Sequence, residues 1–170
     1  LNYYTYGLRI YKNMPLIEPV ETKENLRIEE LVIVVDTSYS TSGELVKKFL
    51  RETFTILSET DSFFRKRKIH IIQCDELVHS DITVTGDTDI DILINNFDLA
   101  GGGNTDFRPA FEYVNNLIDT GEIKKLQGLL YFTDGKGKYP KKKMPYNTAF
   151  VFIDKLSETA VPAWAMKVSL

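Results

Sequence analysis

Residues 31–40 read Leu-Val-Ile-Val-Val-Asp-Thr-Ser-Tyr-Ser, so five consecutive apolar residues run directly into a segment rich in carboxyl and hydroxyl groups. A continuous run of this kind, mostly β-branched, is typical of a strand buried on both faces of a parallel sheet. The polar segment then falls at the carboxyl end of that strand. In open α/β sheets, ligands bind beyond this end.

The rest of the chain alternates between helical and strand patterns. Spacings of three and four predict a helix after the first strand, with an apolar stripe made of Leu45, Val46, Phe49, Leu50, Phe54 and Leu57. Further helices are predicted at 88–97 and at 107–118, with Pro109 in the first turn of the second. Strands are predicted at 68–74, 77–84, 128–132, 149–153 and 163–168, the first two forming a hairpin.

Strands that alternate with helices predict βαβ units. We therefore expect a Rossmann-like three-layer α/β/α sandwich, whose central sheet is mostly parallel with one antiparallel edge strand. The length of 170 residues suits one domain. We place that domain at residues 30–170, with residues 1–29 as an N-terminal extension or linker.

Composition limits the classes of partner. The 21 basic and 24 acidic residues give a net charge of −3, so the sequence offers no reason to expect binding to nucleic acid or to a membrane surface. No apolar stretch approaches the roughly 20 residues needed to span a bilayer. The single cysteine, Cys74, ends an apolar run and is expected to be buried and inert. A reducing, cytoplasmic location is the prediction.

Three polar segments carry the candidate chemistry. They are Asp36-Thr37-Ser38-Tyr39-Ser40, Gly101-Gly102-Gly103-Asn104-Thr105-Asp106 and Thr133-Asp134-Gly135, and each is predicted to lie at a strand end or just before a helix. All contribute oxygen-bearing side chains, and none contributes His or Cys. Hard oxygen ligands suit Mg²⁺ or Mn²⁺ rather than Zn²⁺. Any one segment alone would more often be a helix cap or a turn.

Other motifs do not fit. A zinc protease needs His-Glu-x-x-His, which His70 and His79 do not form. A dinucleotide fingerprint would need glycine where Asp106 stands. Asp106 could instead cap the following helix or support the metal site, and Asp75 could be a neighbour of the site or a hairpin residue.

Together the three segments resemble the metal-ion-dependent adhesion site of von Willebrand factor A (VWA) domains, in order and in spacing, over roughly Glu30 to Leu170. Residues 101–109 and the later Asp134-Gly135-Lys136-Gly137 are similar to one subgroup in particular. That subgroup is the VWA-like domain at the C-terminus of predicted bacterial metallopeptidases, often encoded near MoxR-type AAA ATPases. Tyr39 and Asn104 depart from the common pattern of the site.

The resemblance implies a role for each position. Ser38 and Ser40 would bind one Mg²⁺ (or Mn²⁺) through their hydroxyls. Thr105 would bind directly when a ligand is present and through water otherwise, while Asp36 and Asp134 would act mainly through bound waters. Neutral hydroxyl ligands leave the cation able to accept a carboxylate from a partner at an open position.

The sequence therefore predicts a non-catalytic, metal-dependent protein-binding module whose partner presents an Asp or Glu, with a MoxR-type AAA ATPase as one candidate. Two alternatives remain. The chain could be the C-terminal accessory domain of a zinc metallopeptidase whose catalytic domain lies upstream, or the Mg²⁺ site itself could hydrolyse a phosphoester. The lysines at 136, 138, 141, 142 and 143 predict a solvated basic loop, or one that steers an acidic partner.

Overall fold

The computed structural model describes residues 30–39, 43–58, 68–152 and 161–169. The predicted extension at residues 1–29 and the site residue Ser40 lie outside these ranges. In chain order the elements are β1 (Glu30–Asp36), α1 (Gly43–Ser58), β2 (Lys68–Cys74), β3 (Val78–Val84), α2 (Ile90–Asn95), α3 (Arg108–Asp119), β4 (Leu126–Thr133), β5 (Asn147–Phe152) and β6 (Met166–Ser169).

The strands form one six-stranded sheet in the order β3-β2-β1-β4-β5-β6. Every neighbouring pair is parallel except β2 and β3, which form an antiparallel hairpin at one edge. Helices flank the sheet on both sides, so the predicted three-layer sandwich with one antiparallel edge strand is confirmed.

The central strand β1 explains the two-sided core. Its alternate side chains point to opposite faces, as the pleat requires. Ile33 and Val35 pack in the cluster that contains Val46 and Leu50 of α1. Val32 and Val34 pack in a second cluster with the apolar residues of α3. The unbroken apolar run at residues 31–35 of β1 is thus a consequence of cover on both sides.

Three details differ from the sequence-based expectation. Leu45 is 41% exposed, because it lies about 100° around α1 from Val46 and so falls at the margin of the buried stripe. The helix predicted at 88–97 is shorter, since the Asp89 side chain caps its start by accepting from the Ile92 amide at 3.0 Å. The last strand begins at Met166, because the Ala165 amide donates to the Pro162 carbonyl and closes a turn first.

The sheet order also locates a crevice. The chain runs from β1 through α1 to β2 on one side of β1, whereas β4 lies on the other side. The carboxyl ends of β1 and β4 are therefore a topological switch point, where α/β sheets bind their ligands. No helix in the described part of the chain is long and apolar enough to cross a bilayer.

Candidate functional site

The last residue of β1, Asp36, is fully buried at the switch point. Its Oδ1 accepts a hydrogen bond from the Ser38 amide at 2.9 Å, and its Oδ2 accepts one from the Thr133 hydroxyl at 2.6 Å. Burial, reinforced by the nearby charge of Asp134, raises the pKa of Asp36 despite these hydrogen bonds. The carboxylate therefore joins the ends of β1 and β4 and carries a charge that the surroundings compensate incompletely.

The residues that follow Asp36 are divided between the interior and solvent. Ser38 is 5% exposed, whereas Tyr39 is 93% exposed. The Asp36–Ser38 hydrogen bond folds the chain back at this point, so the serine lies beside the carboxylate. Tyr39 therefore lies on the surface beside the candidate site.

The end of β4 supplies the second side of the site. The Thr133 hydroxyl, which donates to Asp36, also accepts from the Gly135 amide at 3.0 Å. Asp134 is partly buried, and its Oδ1 accepts from the Lys136 amide at 3.0 Å. The Lys136 ammonium lies 3.8 Å from the other carboxylate oxygen. Asp36 and Asp134 thus lie near each other, with Thr133 between them.

Asp75, directly after β2, anchors the glycine-rich loop. Its Oδ2 accepts from the Gly103 amide at 3.0 Å, and its Oδ1 accepts from the Leu77 amide at 2.9 Å and lies 2.8 Å from His79 Nε2. Burial would raise the pKa of Asp75, but these three hydrogen bonds outweigh it and lower the pKa to about 2. Asp75 is therefore a neighbour of the site as well as a hairpin residue.

Gln73 holds the beginning of the same loop. Its side-chain amide donates to the Asp98 carbonyl at 3.0 Å and accepts from the Ala100 amide at 2.7 Å. The loop is therefore fastened to the end of β2 at two places, through Gln73 and through Asp75.

Gly101 allows the loop to pass close to β1. Its φ of +134° is rarely adopted by other residues. A Cβ at this position would lie 2.4 Å from Thr37 Oγ1 and 2.9 Å from Asp75 Oδ2. The Thr37 hydroxyl itself is buried and has no hydrogen-bond partner within the described residues. A glycine at 101 is thus required by contact with the site.

Thr105 borders the loop that leaves β4. A Cβ at Gly137 would lie 2.8 Å from Thr105 Cγ2 and 2.6 Å from Phe107 Cζ, so the two loops are in close contact. The Phe107 amide donates to the Lys138 carbonyl at 3.2 Å and fixes this arrangement. The structure therefore brings Asp36, Ser38 and Asp134 together and places Thr105 against the loop that carries Asp134.

Asp106 has a different role from the site residues. Its carboxylate accepts from the Arg108 backbone amide at 3.1 Å and from the Arg108 guanidinium. These hydrogen bonds lower the pKa of Asp106. The N-cap of the helix that begins at Arg108 is Phe107, so Asp106 is not the cap itself; its contacts instead bind the first residue of the helix from the preceding turn.

Three residues that contact the site carried little signal in the sequence. Thr133 could be suspected only because it precedes Asp134, and Thr37 only because it lies within the first polar segment. Gln73 lies inside a strand, where nothing in the sequence indicates that it holds a distant loop.

Cys74, beside Gln73, is buried, and burial raises the pKa of its thiol to about 12.

The donor set can be compared with what a cation needs. Across residues 30–39, 43–58, 68–152 and 161–169, no three or more His, Cys, Asp and Glu side chains form a group that could hold a metal ion. The site instead combines carboxylates with hydroxyls. Carboxylate oxygens suit Mg²⁺, which usually keeps several of its waters in proteins.

Comparison with known proteins identifies the family. Residues 31–170 match the family described as VWA-like domain (DUF2201). The fold is similar to the crystal structure of the SpRpn10 VWA domain, with a TM-score of 0.54 at 15% identity, over 84% of this chain and 88% of that one. None of the curated proteins matches the chain. The match over most of its length shows that the chain belongs to the VWA-like domain (DUF2201) family.

Proposed function

We propose that this chain is a metal-dependent protein-binding module. In this proposal Asp36, Ser38, Ser40, Thr105 and Asp134 hold one Mg²⁺ (or Mn²⁺) at the ends of β1 and β4. The cation would supply an open coordination position that accepts a carboxylate from a protein partner. Domains of the VWA type commonly mediate protein interactions, and membership of a VWA-like family supports this class of function.

The observation that carries the proposal is the environment of Asp36. This carboxylate is fully buried beside a second acid, and the described residues bring no cationic side chain into contact with it. Burying a charge is costly unless it is paired or bound to a metal. The carboxylate accepts from the Ser38 amide, the Ser38 hydroxyl and the Thr133 hydroxyl, and its two oxygens together keep capacity for one more hydrogen bond, which a metal-bound water could donate.

The neighbouring groups fit a hard cation. In this proposal Ser38 and Thr105 supply neutral hydroxyl oxygens, and Asp134 supplies a carboxylate. The buried Thr37 hydroxyl, unpaired within the described residues, adds a polar group at the same edge. Neutral ligands would leave the cation attractive to an anionic oxygen, and among protein groups a Glu or Asp carboxylate supplies one.

The partner class follows from this chemistry. We propose a protein that presents an acidic side chain, with a MoxR-type AAA ATPase as the first to be tested because of the family resemblance. The net charge of −3 gives no support for nucleic acid as a partner. The zinc-metallopeptidase interpretation concerns residues upstream of this chain, and a His-Glu-x-x-His motif there would support it.

Affinity capture tests the proposal. The domain, immobilised with Mg²⁺, should retain a partner that is released by excess EDTA. Thr105→Ala should lose the partner while keeping the fold, whereas Thr83→Ala, an exposed threonine on β3, should retain it. A partner that binds equally well in EDTA and to Thr105→Ala would exclude the adhesion-type mechanism.

A further inference from the structure

A groove lies along the first half of α3 and the loop that follows β4. It has a volume of about 690 Å³, within the range of ligand-binding clefts. Phe111, Tyr139, Pro140 and Met144 give it an apolar floor, and Lys138, Lys141 and Lys142 stand at its rim. The groove uses none of the five proposed metal ligands.

The floor is held in place by the core beneath it. The Tyr139 ring makes edge contacts with Phe107 and Phe150 at centroid distances of 4.7 and 5.0 Å. Its hydroxyl donates to the Gly135 carbonyl at 3.2 Å. Because these contacts exist before any ligand binds, the groove would lose little conformational entropy when a ligand binds in it.

The wall on the side of α3 is also fixed. The Arg108 guanidinium is bound to Asp106, and the Phe107 amide joins the start of α3 to the Lys138 carbonyl. The loop and the helix are therefore tied together at one end of the groove. The groove keeps its shape through these contacts and not through a ligand.

The charge of the rim is opposite to that of the whole chain. Lys141 and Lys142 are exposed and make no ion pair with the described residues. Glu112 is the single acid among the lining residues, against Arg108 and three lysines. A locally positive rim on a protein of net charge −3 is complementary to an acidic ligand, and the apolar floor to an apolar one.

We propose that this groove is a second docking site, which binds a protein segment that combines acidic with apolar side chains. The apolar side chains lie on Tyr139 and Met144, and the acids meet Lys141 and Lys142. Binding here does not require the metal, so this site goes beyond the metal-dependent function and is tested separately from it. A partner that bound both sites at once would bind more tightly than through either site alone, because its second contact would be intramolecular.

The test uses a short fluorescein-labelled peptide in which Glu and Leu alternate, with anisotropy as the readout and EDTA present. We expect binding in EDTA, unchanged in Thr105→Ala. Lys141→Gln/Lys142→Gln should weaken it about fivefold, as expected for two rim charges. The matched pair Lys124→Gln/Lys125→Gln, also exposed and adjacent in sequence but before β4, should leave it unchanged.

Two further probes separate the proposal from simpler explanations. A peptide with Ser in place of Leu should bind about tenfold more weakly, because it lacks the apolar contact. Equal binding of the Ser peptide would mean that nonspecific charge attraction alone holds the peptide, and this result would overturn the proposal. So would a requirement for Mg²⁺, an equal effect of the two lysine pairs, or stronger binding of a single-stranded oligonucleotide.

Discussion

A single carboxylate, Asp36, links the two strand ends at which the site is built. Its hydrogen bonds from the Ser38 amide and the Thr133 hydroxyl offset part of the cost of burial, while the neighbouring Asp134 adds to that cost. A cation bound at this point would remove the remaining penalty. If the proposed cation binds here, we expect the response of the domain to metal to depend on Asp36.

Addition of Mg²⁺ or Mn²⁺ should raise the thermal midpoint of the domain. A cation that binds the folded state at a hundredfold excess over its Kd contributes about 2.7 kcal/mol. For a chain of this size, this corresponds to roughly 5–10 °C. The thermal midpoint of Asp36→Ala should be the same with and without metal. The exposed Asp119→Ala should keep the metal-induced rise. A shift that survives in Asp36→Ala would place the metal elsewhere.

Asp75 makes the stability of the domain sensitive to acid. Its pKa of about 2 lies below the ordinary value of 3.8, so the charged form favours folding. Its contribution of roughly 2 kcal/mol is fully present above about pH 4 and is lost as the pH falls toward 2. Asp75→Asn should remove this contribution. In either orientation of the side-chain amide, its NH₂ group would face the backbone N–H of Leu77 or of Gly103.

Urea unfolding at neutral pH and between pH 4 and 2 measures this effect. The variant should be less stable at neutral pH and should lose less stability over the acid range than the native chain. A native-like acid dependence in Asp75→Asn would mean that other carboxylates carry it.

At the scale of elements, the glycine-rich loop between α2 and α3 is what places Thr105 against the loop that carries Asp134. It is fastened at Gln73 and Asp75 and passes against Thr37 at Gly101. The loop has no regular secondary structure of its own, so its position depends on these contacts.

Gly101→Ala should destabilise the domain more than Gly102→Ala. Both glycines have positive φ, +134° and +114°, so both variants carry backbone strain of about 1 kcal/mol. A Cβ at 102 meets open space, whereas one at 101 collides with the Thr37 hydroxyl and the Asp75 carboxylate. The collision should add roughly 1–3 kcal/mol.

Chemical denaturation of the two variants separates strain from collision. The Mg²⁺-induced shift should also weaken in Gly101→Ala, because the loop would move away from β1. Equal losses of stability in the two variants would show that the contact with Thr37 does not hold the loop.

At the scale of the whole molecule, the sheet order places the site at the point where the chain reverses direction across the sheet. The chain alone should show no peptidase, phosphatase or nucleotide-hydrolysing activity. Asp75, the acid that holds the glycine-rich loop, has a pKa of about 2 and is a weak base at neutral pH. His79, the nearest imidazole to that acid, is hydrogen-bonded to it.

Assays with Mg²⁺, Mn²⁺ and Zn²⁺ on ester, peptide and nucleotide substrates test this prediction. Turnover that depends on metal and disappears in both Ser38→Ala and Asp134→Ala would contradict it and favour the hydrolytic interpretation. Turnover that persists in both variants would point to a contaminant.

The sequence by itself was enough for the architecture, because burial on two faces requires the apolar run of β1 and cover by helices on each side. The hairpin of β2 and β3 was also predictable, since its polar turn at Asp75 separates two strand-like segments. Boundaries were less predictable: the capping bond of Asp89 and the turn at Pro162 shorten α2 and β6, and both depend on local hydrogen bonds.

The convergence of the polar segments was decided only by the tertiary structure. Composition and spacing indicated three polar segments, and the family resemblance singled out Asp36, Ser38, Ser40, Thr105 and Asp134 within them. A one-dimensional pattern does not say which strand ends are neighbours. Sheet order brings β1 beside β4, and this adjacency lets the Thr133 hydroxyl reach Asp36 from 97 residues away. Gln73 gained its role in the same way, because the Asp98 and Ala100 backbone groups that it binds are distant in sequence. Thr37 likewise lies against Gly101 only when the sheet has formed.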